Sequence, residues 1–206
     1  MVVGDDEAGK HTLLFNLTKS RGQLATGESI LSNTTKPEEG GINIREWKYA
    51  PSGRSDKPIT FTIWEFGYWK EYHVIHQCFL TKHSLYLLVW DVQDGKKGVE
   101  DLKHSLEKIT TESSVIIVGT HLDRIPQSQR KHVTNQLSKH IEDLYRDNSS
   151  RYNQYPKIYH YCFVNCQSSQ HLQNLGHQIY DFASKYIPGS KFACQHCLLH
   201  VTVITK

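Results

Sequence analysis

Two uninterrupted apolar stretches, SLYLLVWDV (84–92) and SVIIVGT (114–120), constrain the fold more than any other feature of the chain. Each has the length of one β-strand and lacks polar alternation, which is typical of parallel strands covered by helices on both faces. Between and after them, apolar residues recur at helical spacing. Strands and helices therefore alternate, and we predict an α/β fold with three layers.

A β-hairpin is predicted ahead of the first apolar stretch. GINIREWKY (41–49) and ITFTIW (59–64) both alternate apolar and polar residues, and the turn-rich APSGRSDKP separates them. In the first strand we expect Ile42 and Ile44 to face the core, followed by Trp47 or Tyr49. Because the strands of a hairpin are antiparallel, this unit adds one antiparallel strand to an otherwise parallel sheet.

Helices are predicted wherever apolar residues recur every three or four positions. The first runs from Lys10 to about Lys19. The apolar faces of the four helices are Leu13, Leu14 and Leu17; Val99, Leu102, Leu106 and Ile109; Val133, Leu137, Ile141 and Leu144; and, within 172–186, Leu175, Ile179 and Phe182. DNSSRYNQYP (147–156) is predicted to be a loop and YHYCFVN (159–165) a strand. The elements together predict a mostly parallel six-stranded sheet with one antiparallel strand and helices on both faces.

The two ends of the chain fit this alternation less well. MVVG ends a strand at Gly4, too early for a central strand of about five or six residues, so we predict a first strand truncated at Met1. At the other end, LLHVTVITK (198–206) follows the last helix with no obvious place in the sheet. We therefore predict one domain over residues 1–190 and a tail of uncertain structure over residues 191–206.

The composition limits the classes of partner. There are 24 Lys and Arg against 21 Asp and Glu, a net charge of +3, which provides no electrostatic case for binding nucleic acid. No stretch approaches the ~20 apolar residues of a membrane helix, and the apolar start turns acidic at Asp5, unlike a signal peptide. Five Cys residues in a chain of this length are typical of reduced cytosolic thiols. We predict a soluble cytoplasmic domain.

The segment GDDEAGK (4–10) has the G-x-x-x-x-G-K spacing of a phosphate-binding loop between a strand end and a helix start. Glycines let the backbone wrap a phosphate, consecutive N–H groups bind its oxygens, and the helix N-terminus adds a positive end. Lys10 is expected to reach the outer phosphates. The predicted nucleotide contacts in this region are Gly4, Asp5, Asp6, Glu7, Ala8, Gly9, Lys10, His11 and Thr12. An ordinary strand-to-helix turn is the alternative.

Two features of this loop disfavour Mg²⁺ and weaken phosphate binding. His11 stands where such loops carry a Ser or Thr hydroxyl for Mg²⁺, and Thr12 follows one position too late. Mg²⁺ prefers oxygen ligands, so an imidazole is a poor substitute. Three acidic residues, Asp5–Glu7, also lie in the loop. Two like charges about 6 Å apart at a surface dielectric near 20 repel by roughly 3 kcal/mol.

Later strand ends resemble motifs of small GTP-binding switch proteins. Thr120-His121-Leu122-Asp123 resembles the guanine-specificity motif Asn-Lys-x-Asp, whose carboxylate accepts two hydrogen bonds that adenine does not offer. WEFG (64–67) resembles Asp-x-x-Gly, with Glu65 at the carboxylate that holds Mg²⁺ through water, although Gly67 lies one residue early. FVNCQS (163–168) falls where the last base-contacting loop belongs, which adds Asn165 and Cys166 to the predicted nucleotide contacts.

Together, VVGDDEAGK, HQCFLTKHSLYLLVWDVQDG, VIIVGTHLD and FVN resemble the Roc domain, the Ras-like GTPase module of Roco proteins, over residues 2–190. Within that family the resemblance is strongest to the leucine-rich-repeat Ser/Thr kinases. It implies the three-layer P-loop NTPase (Ras-like) fold, GTP or GDP as ligand, and Mg²⁺ at His11 and Glu65, two positions altered from the family pattern. It also implies a parent protein with leucine-rich repeats, a COR domain and a kinase domain, hence protein partners or a homodimer through adjoining domains.

The sequence is compatible with three functions. The first is a guanine-nucleotide-binding regulatory module with slow GTP hydrolysis at most, for which no catalytic residue is assigned. The second is a pseudo-GTPase that keeps the fold as a dimerisation or protein-interaction surface without nucleotide turnover. The third, an ATP-using P-loop enzyme, is disfavoured by Asp123 and by the lack of an evident catalytic base.

Overall fold

Strands and helices alternate along the chain as their local periodicity predicts. The structure, a computed structural model, describes residues 8–19, 42–51, 58–66, 84–150, 155–186 and 200–204; of 42, 66, 145, 147–150, 186 and 200–204 it describes the backbone alone. The elements are α1 Lys10–Lys19, β1 Ile42–Tyr49, β2 Ile59–Phe66, β3 Leu85–Asp91, α2 Gly95–Leu106, β4 Ser114–Thr120, α3 Gln127–Ser150, β5 Lys157–Phe163, α4 Ser169–Tyr186 and β6 His200–Ile204. The expected turn at residues 52–57 and the expected first strand lie outside the described residues.

The six strands form one sheet in the order β1-β2-β6-β3-β4-β5. β1 is antiparallel to β2, with partners running from Ile42 opposite Phe66 to Tyr49 opposite Ile59. The remaining neighbours are all parallel. The predicted sheet, mostly parallel with one antiparallel strand, is therefore confirmed.

Residues 200–204, for which the sequence suggested no place in the sheet, form an interior strand. β6 lies between β2 and β3 and is parallel to both, with Val201 opposite Ile63 on one side and Leu85 on the other. The sheet therefore extends past residue 190, where the sequence placed the end of the domain. Within the described strands, β2 and β3 do not pair with each other, so β6 joins the hairpin to the rest of the sheet.

The core has two layers because alternate residues of the central strands face opposite sides of the sheet. Leu85, Leu87 and Val89 of β3 face α1 and α4, where the predicted helical faces of both helices are buried. Tyr86, Leu88 and Trp90 face α2 and α3 on the other side. Helices therefore cover both faces of the sheet, as the uninterrupted apolar strands required. No helix in the described ranges is both long and apolar enough to cross a membrane.

Two local expectations were wrong. Ile44 is 53% exposed, because Arg45, Trp47 and Tyr49 share the opposite face of β1 and the two large aromatic side chains pack into the core there. Residues 147–150, which were expected to begin a loop, are helical instead, since α3 continues to Ser150. Residues 147–150 contain neither Gly nor Pro, the residues that most often end a helix.

Candidate functional site

Three loops meet where the parallel strands end. The residues that lead into α1, those that follow β4 and those that follow β5 all lie at the carboxyl edge of the sheet. In open α/β sheets this edge is where ligands bind, because the loops there are positioned by rigid strands but are not part of the core. The hydrogen bonds described below join the three loops to one another.

Thr120, the last residue of β4, joins its strand to the predicted phosphate loop. The side chain is fully buried, and its Oγ lies 2.7 Å from the carbonyl oxygen of Ala8 and 3.0 Å from that of Trp90. A hydroxyl has one proton, so it donates to these two carbonyls in turn. The contact sets the position of the loop immediately before Gly9 and Lys10.

His121 covers the end of the same loop. It adopts a left-handed backbone conformation with φ of 57°, which is uncommon for a residue with a side chain. Its Nδ1 lies 2.8 Å from Oδ2 of Asp91, which holds the ring in place. The ring packs so closely on Gly9 that an added Cβ there would lie 3.3 Å from it. Gly9 itself has φ of 71°, a conformation that glycine adopts without strain.

Asp123 presents an exposed carboxylate beside the third loop. In the described part of the chain its side chain makes no hydrogen bond or ion pair, and only its backbone oxygen accepts a bond, from Arg130 at 3.2 Å. Burial, and secondarily the negative charge of Asp123, raise the pKa of the Cys166 thiol to about 12. Asp123 and Cys166, predicted from separate motifs, therefore lie near one another.

The loop after β5 is fixed by bonds from two helices. Asn16 of α1 donates through Nδ2 to the carbonyl oxygen of Cys166 at 2.9 Å. The backbone N–H of Asn165 donates to Nδ1 of His171 in α4, also at 2.9 Å. A further bond joins the loops after β4 and β5 directly, since the N–H of Leu122 donates to the carbonyl oxygen of Val164 at 3.3 Å. These bonds fix the loop after β5 to α1, to α4 and to the loop after β4.

The two residues predicted at the metal positions contact each other. Nδ1 of His11 lies 3.1 Å from Oε1 of Glu65, and Arg45 from β1 forms a close ion pair with the other oxygen, Oε2. Glu65 is only 2% exposed. A buried carboxylate needs paired donors, and here both of its oxygens have one.

This donor set does not fit Mg²⁺. The ion prefers near-octahedral coordination by oxygen atoms, whereas the position in the first turn of α1 carries the imidazole of His11. Both oxygens of Glu65 are already bound to cationic or N–H donors from other elements. Thr12, the nearest hydroxyl along the chain, has an exposed side chain one position further on.

Other predicted site residues are placed as follows. Lys10 is the first residue of α1 and is half-buried, and Ala8 is buried. Gly4, Asp5, Asp6 and Glu7 lie outside the described residues. Nothing in the described geometry shows a nucleotide contact, so the roles assigned to all these residues stay predictions.

Sequence reasoning missed four residues that organise the site, namely Asn16, Arg45, Asp91 and His171. The sequence did contain an indication for Arg45. It lies at an odd-numbered position of β1, as do Trp47 and Tyr49, so all three side chains face the same side of the sheet. A cation on a buried face requires an acidic partner. Glu65 likewise shares the parity of Phe61 and Ile63 on the neighbouring strand. The two patterns together point to a buried ion pair.

The sheet order and the loops clustered at the carboxyl edge of the strands, together with the G-x-x-x-x-G-K spacing of the sequence before α1, define a Ras-like fold of the P-loop class. The family model described as "Ras of Complex, Roc, domain of DAPkinase" matches residues 1–123. The chain therefore belongs to the Roc family, which confirms the resemblance read from its motifs.

Relatives include leucine-rich repeat serine/threonine-protein kinase 1 of Caenorhabditis elegans, 36% identical over 138 residues, which are 64% of this chain and 6% of that protein. The probable serine/threonine-protein kinase roco5 of Dictyostelium discoideum is 28% identical over 169 residues, 80% of this chain and 5% of that protein. The mouse leucine-rich repeat serine/threonine-protein kinase 1 is 28% identical over 206 residues, 95% of this chain and 10% of that protein.

A solved structure shares the fold. The structure of Methanosarcina barkeri Roco2 RocCORdC bound to GDP matches with a TM-score of 0.59 and 24% identity, over 90% of this chain and 48% of that one. At this identity the match supports the fold alone. The chain spans between 5% and 10% of the length of the three kinases compared above.

Proposed function

We propose that this chain is a guanine-nucleotide-binding regulatory domain of a Roco-type leucine-rich-repeat protein kinase, with slow GTP hydrolysis at most. The observation that carries the proposal is the direct joining of the three strand-end loops, above all the bond from Thr120 to Ala8. It fixes the predicted phosphate loop relative to the predicted base-binding residues, and a nucleotide must touch both at once.

The base side of the site supports guanine rather than adenine. The Asp123 carboxylate is exposed at the end of β4 and has no side-chain partner in the described ranges, so it is able to accept hydrogen bonds from a base. Guanine offers a ring N–H and an exocyclic amino group to such a carboxylate, and adenine lacks this pair. The bonds that hold Asn165 and Cys166 place the neighbouring loop beside it. The GDP bound in the Roco2 structure agrees with this ligand class.

The proposal also covers the parent protein, its partners and its location in the cell. The relatives named above are kinases, so we propose a kinase as the parent protein and protein partners or a second copy as contacts of adjoining domains. Free thiols at Cys162 and Cys166 agree with a cytoplasmic location.

Nucleotide titration tests the proposal. Fluorescent GDP and GTP are titrated into the purified chain, with Lys10→Ala and Asp123→Ala as site variants and the exposed Lys131→Ala and Asp143→Ala as matched controls. We expect saturable binding, at least about tenfold weaker in each site variant, a loss of about 1.4 kcal/mol, and unchanged in the controls. ATP should not compete. A folded chain that shows no saturable binding would refute the proposal.

A second candidate is a pseudo-GTPase that serves as a protein-interaction module without nucleotide turnover. The engagement of both Glu65 oxygens by His11 and Arg45 favours it, because that carboxylate is not available to hold a metal through water. Single-turnover measurement of phosphate release from bound GTP separates the two. Release that is no faster than for GTP in buffer, despite saturable binding, would support the pseudo-GTPase.

A further inference from the structure

We propose that the ion pair of Arg45 with Glu65, together with the imidazole of His11, takes the place of Mg²⁺ in this site, so that guanine nucleotide binds without a divalent cation. The inference rests on the proposed nucleotide binding and adds to it. It concerns the one part of the site whose donors do not suit the metal that the family implies.

The three side chains converge from three elements. His11 lies in the first turn of α1, Arg45 in β1, and Glu65 at the penultimate position of β2. Glu65 is opposite Asn43 in the hairpin register, and Arg45 lies two residues further along the same strand face. A long side chain reaches such a diagonal neighbour across an antiparallel pair. The cluster therefore ties the start of α1 to the hairpin, beside the predicted phosphate loop.

Burial makes this arrangement hard for a metal to displace. Glu65 is nearly inaccessible and Arg45 has only 16% of its side chain exposed. The guanidinium of arginine is permanently charged and has five N–H donors, so it neutralises the carboxylate without any added ion. To hold a hydrated cation, the Glu65 carboxylate would have to break its contact with Arg45, with His11 or with both. The released side chains would then lie in a poorly solvated position without their partner.

The residue in the first turn of α1, His11, also disfavours a bound Mg²⁺. His11 directs Nδ1 at Glu65 and supplies no oxygen atom. An arginine that uses one N–H group on Glu65 keeps others for an anion such as a phosphate. The local cation that accompanies a bound nucleotide is then part of the chain.

Nucleotide affinity with and without Mg²⁺ tests the proposal on the unmodified chain. Fluorescent GDP is titrated in the presence of Mg²⁺ and again in the presence of EDTA. We expect dissociation constants within about twofold of each other, whereas binding at least about tenfold weaker in EDTA overturns the inference and leaves the proposed function standing. No binding in either buffer instead refutes the proposed function, so the two failures are distinguishable.

A direct metal measurement gives a second, independent readout. Mn²⁺, whose electron paramagnetic resonance signal reports its free concentration, is titrated into GDP alone and into the complex of the chain with GDP. We expect the same Mn²⁺ affinity in both, because the chain contributes no ligand. A site on the complex that binds Mn²⁺ more tightly than GDP alone overturns the inference.

Substitution of Arg45 tests whether its side chain supplies the positive charge that replaces Mg²⁺. We expect Arg45→Gln to weaken GDP binding in EDTA by at least about tenfold and to recover with Mg²⁺, because Glu65 loses its cation. Lys48→Gln, an exposed cation on the same strand, is the matched control and should bind as the unmodified chain does. A folded Arg45→Gln variant that stays independent of Mg²⁺ overturns the role of Arg45.

A buried carboxylate without a cation can unfold the domain, so a charge-neutral variant is needed as well. In Arg45→Gln/Glu65→Gln the two amides keep hydrogen-bonding partners and neither buries a charge. We expect this double variant to fold, as judged by circular dichroism, and to bind GDP equally in Mg²⁺ and EDTA. A double variant that binds GDP in EDTA as tightly as the unmodified chain overturns the proposal, because the ion pair would then contribute nothing in place of the metal.

Discussion

The hydroxyl oxygen of Thr120 lies 2.7 Å from the carbonyl oxygen of Ala8, although the two residues are 112 positions apart in the chain. Both residues are buried, at 0% and 4% exposure. The bond joins the end of a central strand to the loop before α1. The geometry of the predicted phosphate loop thus depends on β4 as much as on its own glycines.

Loss of this hydroxyl should destabilise the domain. Thr120→Val keeps the shape of the side chain but leaves the Ala8 carbonyl without its donor, and we expect the free energy of unfolding in urea to fall by about 1–3 kcal/mol. Thr134→Val is the matched control, because the hydroxyl of Thr134 bonds within α3, to the carbonyl oxygens of Arg130 at 2.8 Å and Lys131 at 3.3 Å. An equal loss of unfolding free energy in both variants would show that the bond to Ala8 stabilises the domain no more than a hydroxyl bond within a helix does.

The contact of His121 with Gly9 should appear in a comparison of two glycines. Gly9 and Gly95 both have positive φ, 71° and 58°, but an added Cβ meets the His121 ring only at Gly9 and meets nothing within 4 Å at Gly95. Gly95 combines its positive φ with ψ of −137°, outside the left-handed helical region, so an alanine is strained there by the backbone alone. We expect Gly9→Ala to destabilise the domain partly through contact with the His121 ring, and Gly95→Ala to destabilise it through backbone strain alone.

A second variant isolates the ring. In the background of His121→Ala, the loss of stability caused by Gly9→Ala should be smaller, whereas the loss caused by Gly95→Ala should be unchanged. Double-mutant cycles of unfolding free energies measure both effects. Equal losses in the two backgrounds would mean that the ring does not press on Gly9.

Alkaline pH should weaken the fold through Cys166. Its pKa is raised from 9.0 to about 12 in the folded state, first by burial and then by Asp123. The folded chain therefore keeps this proton at pH values where the unfolded chain releases it. The stabilisation from this thiol is complete below pH 9.0 and decreases as the pH rises towards about 12.

Unfolding free energies measured from pH 8 upwards check this expectation. The unmodified chain should lose stability above about pH 9 more steeply than Cys166→Ala, which has no proton to release. Parallel pH profiles for the two chains would contradict the raised pKa. A flat profile in both would contradict it equally.

Residues 191–206 should be required for the integrity of the sheet. Because β6 lies between β2 and β3, its removal leaves both neighbours without hydrogen-bonding partners on one side. We expect deletion of residues 191–206 to speed hydrogen exchange of the β3 amides by at least about tenfold, since local opening then costs less free energy. Deletion of 205–206, beyond the last residue of β6, is the matched control. Unchanged exchange in the longer deletion would contradict the interior placement.

The elements predicted best are those whose pattern is local. α1 occupies Lys10–Lys19, and Leu13, Leu14 and Leu17 are buried as its spacing predicts. β4 runs over Ser114–Thr120, the same bounds as its apolar run. Ile44 shows where such reasoning fails, because a strand with apolar residues of both parities does not itself say which side meets the core.

The sequence by itself determined the fold class, the order of strands and helices from α1 to α4, and the positions of Thr120 and Asp123 at and after the end of β4, because these follow from the spacing of apolar residues and from short motifs. The tertiary structure alone decided that β6 enters the sheet between β2 and β3. It also brought Arg45 and His11 onto the two oxygens of Glu65. Both outcomes depend on which segments become neighbours in space. Periodicity carries no information about that choice, whereas burial of charge and pairing of backbone groups enforce it.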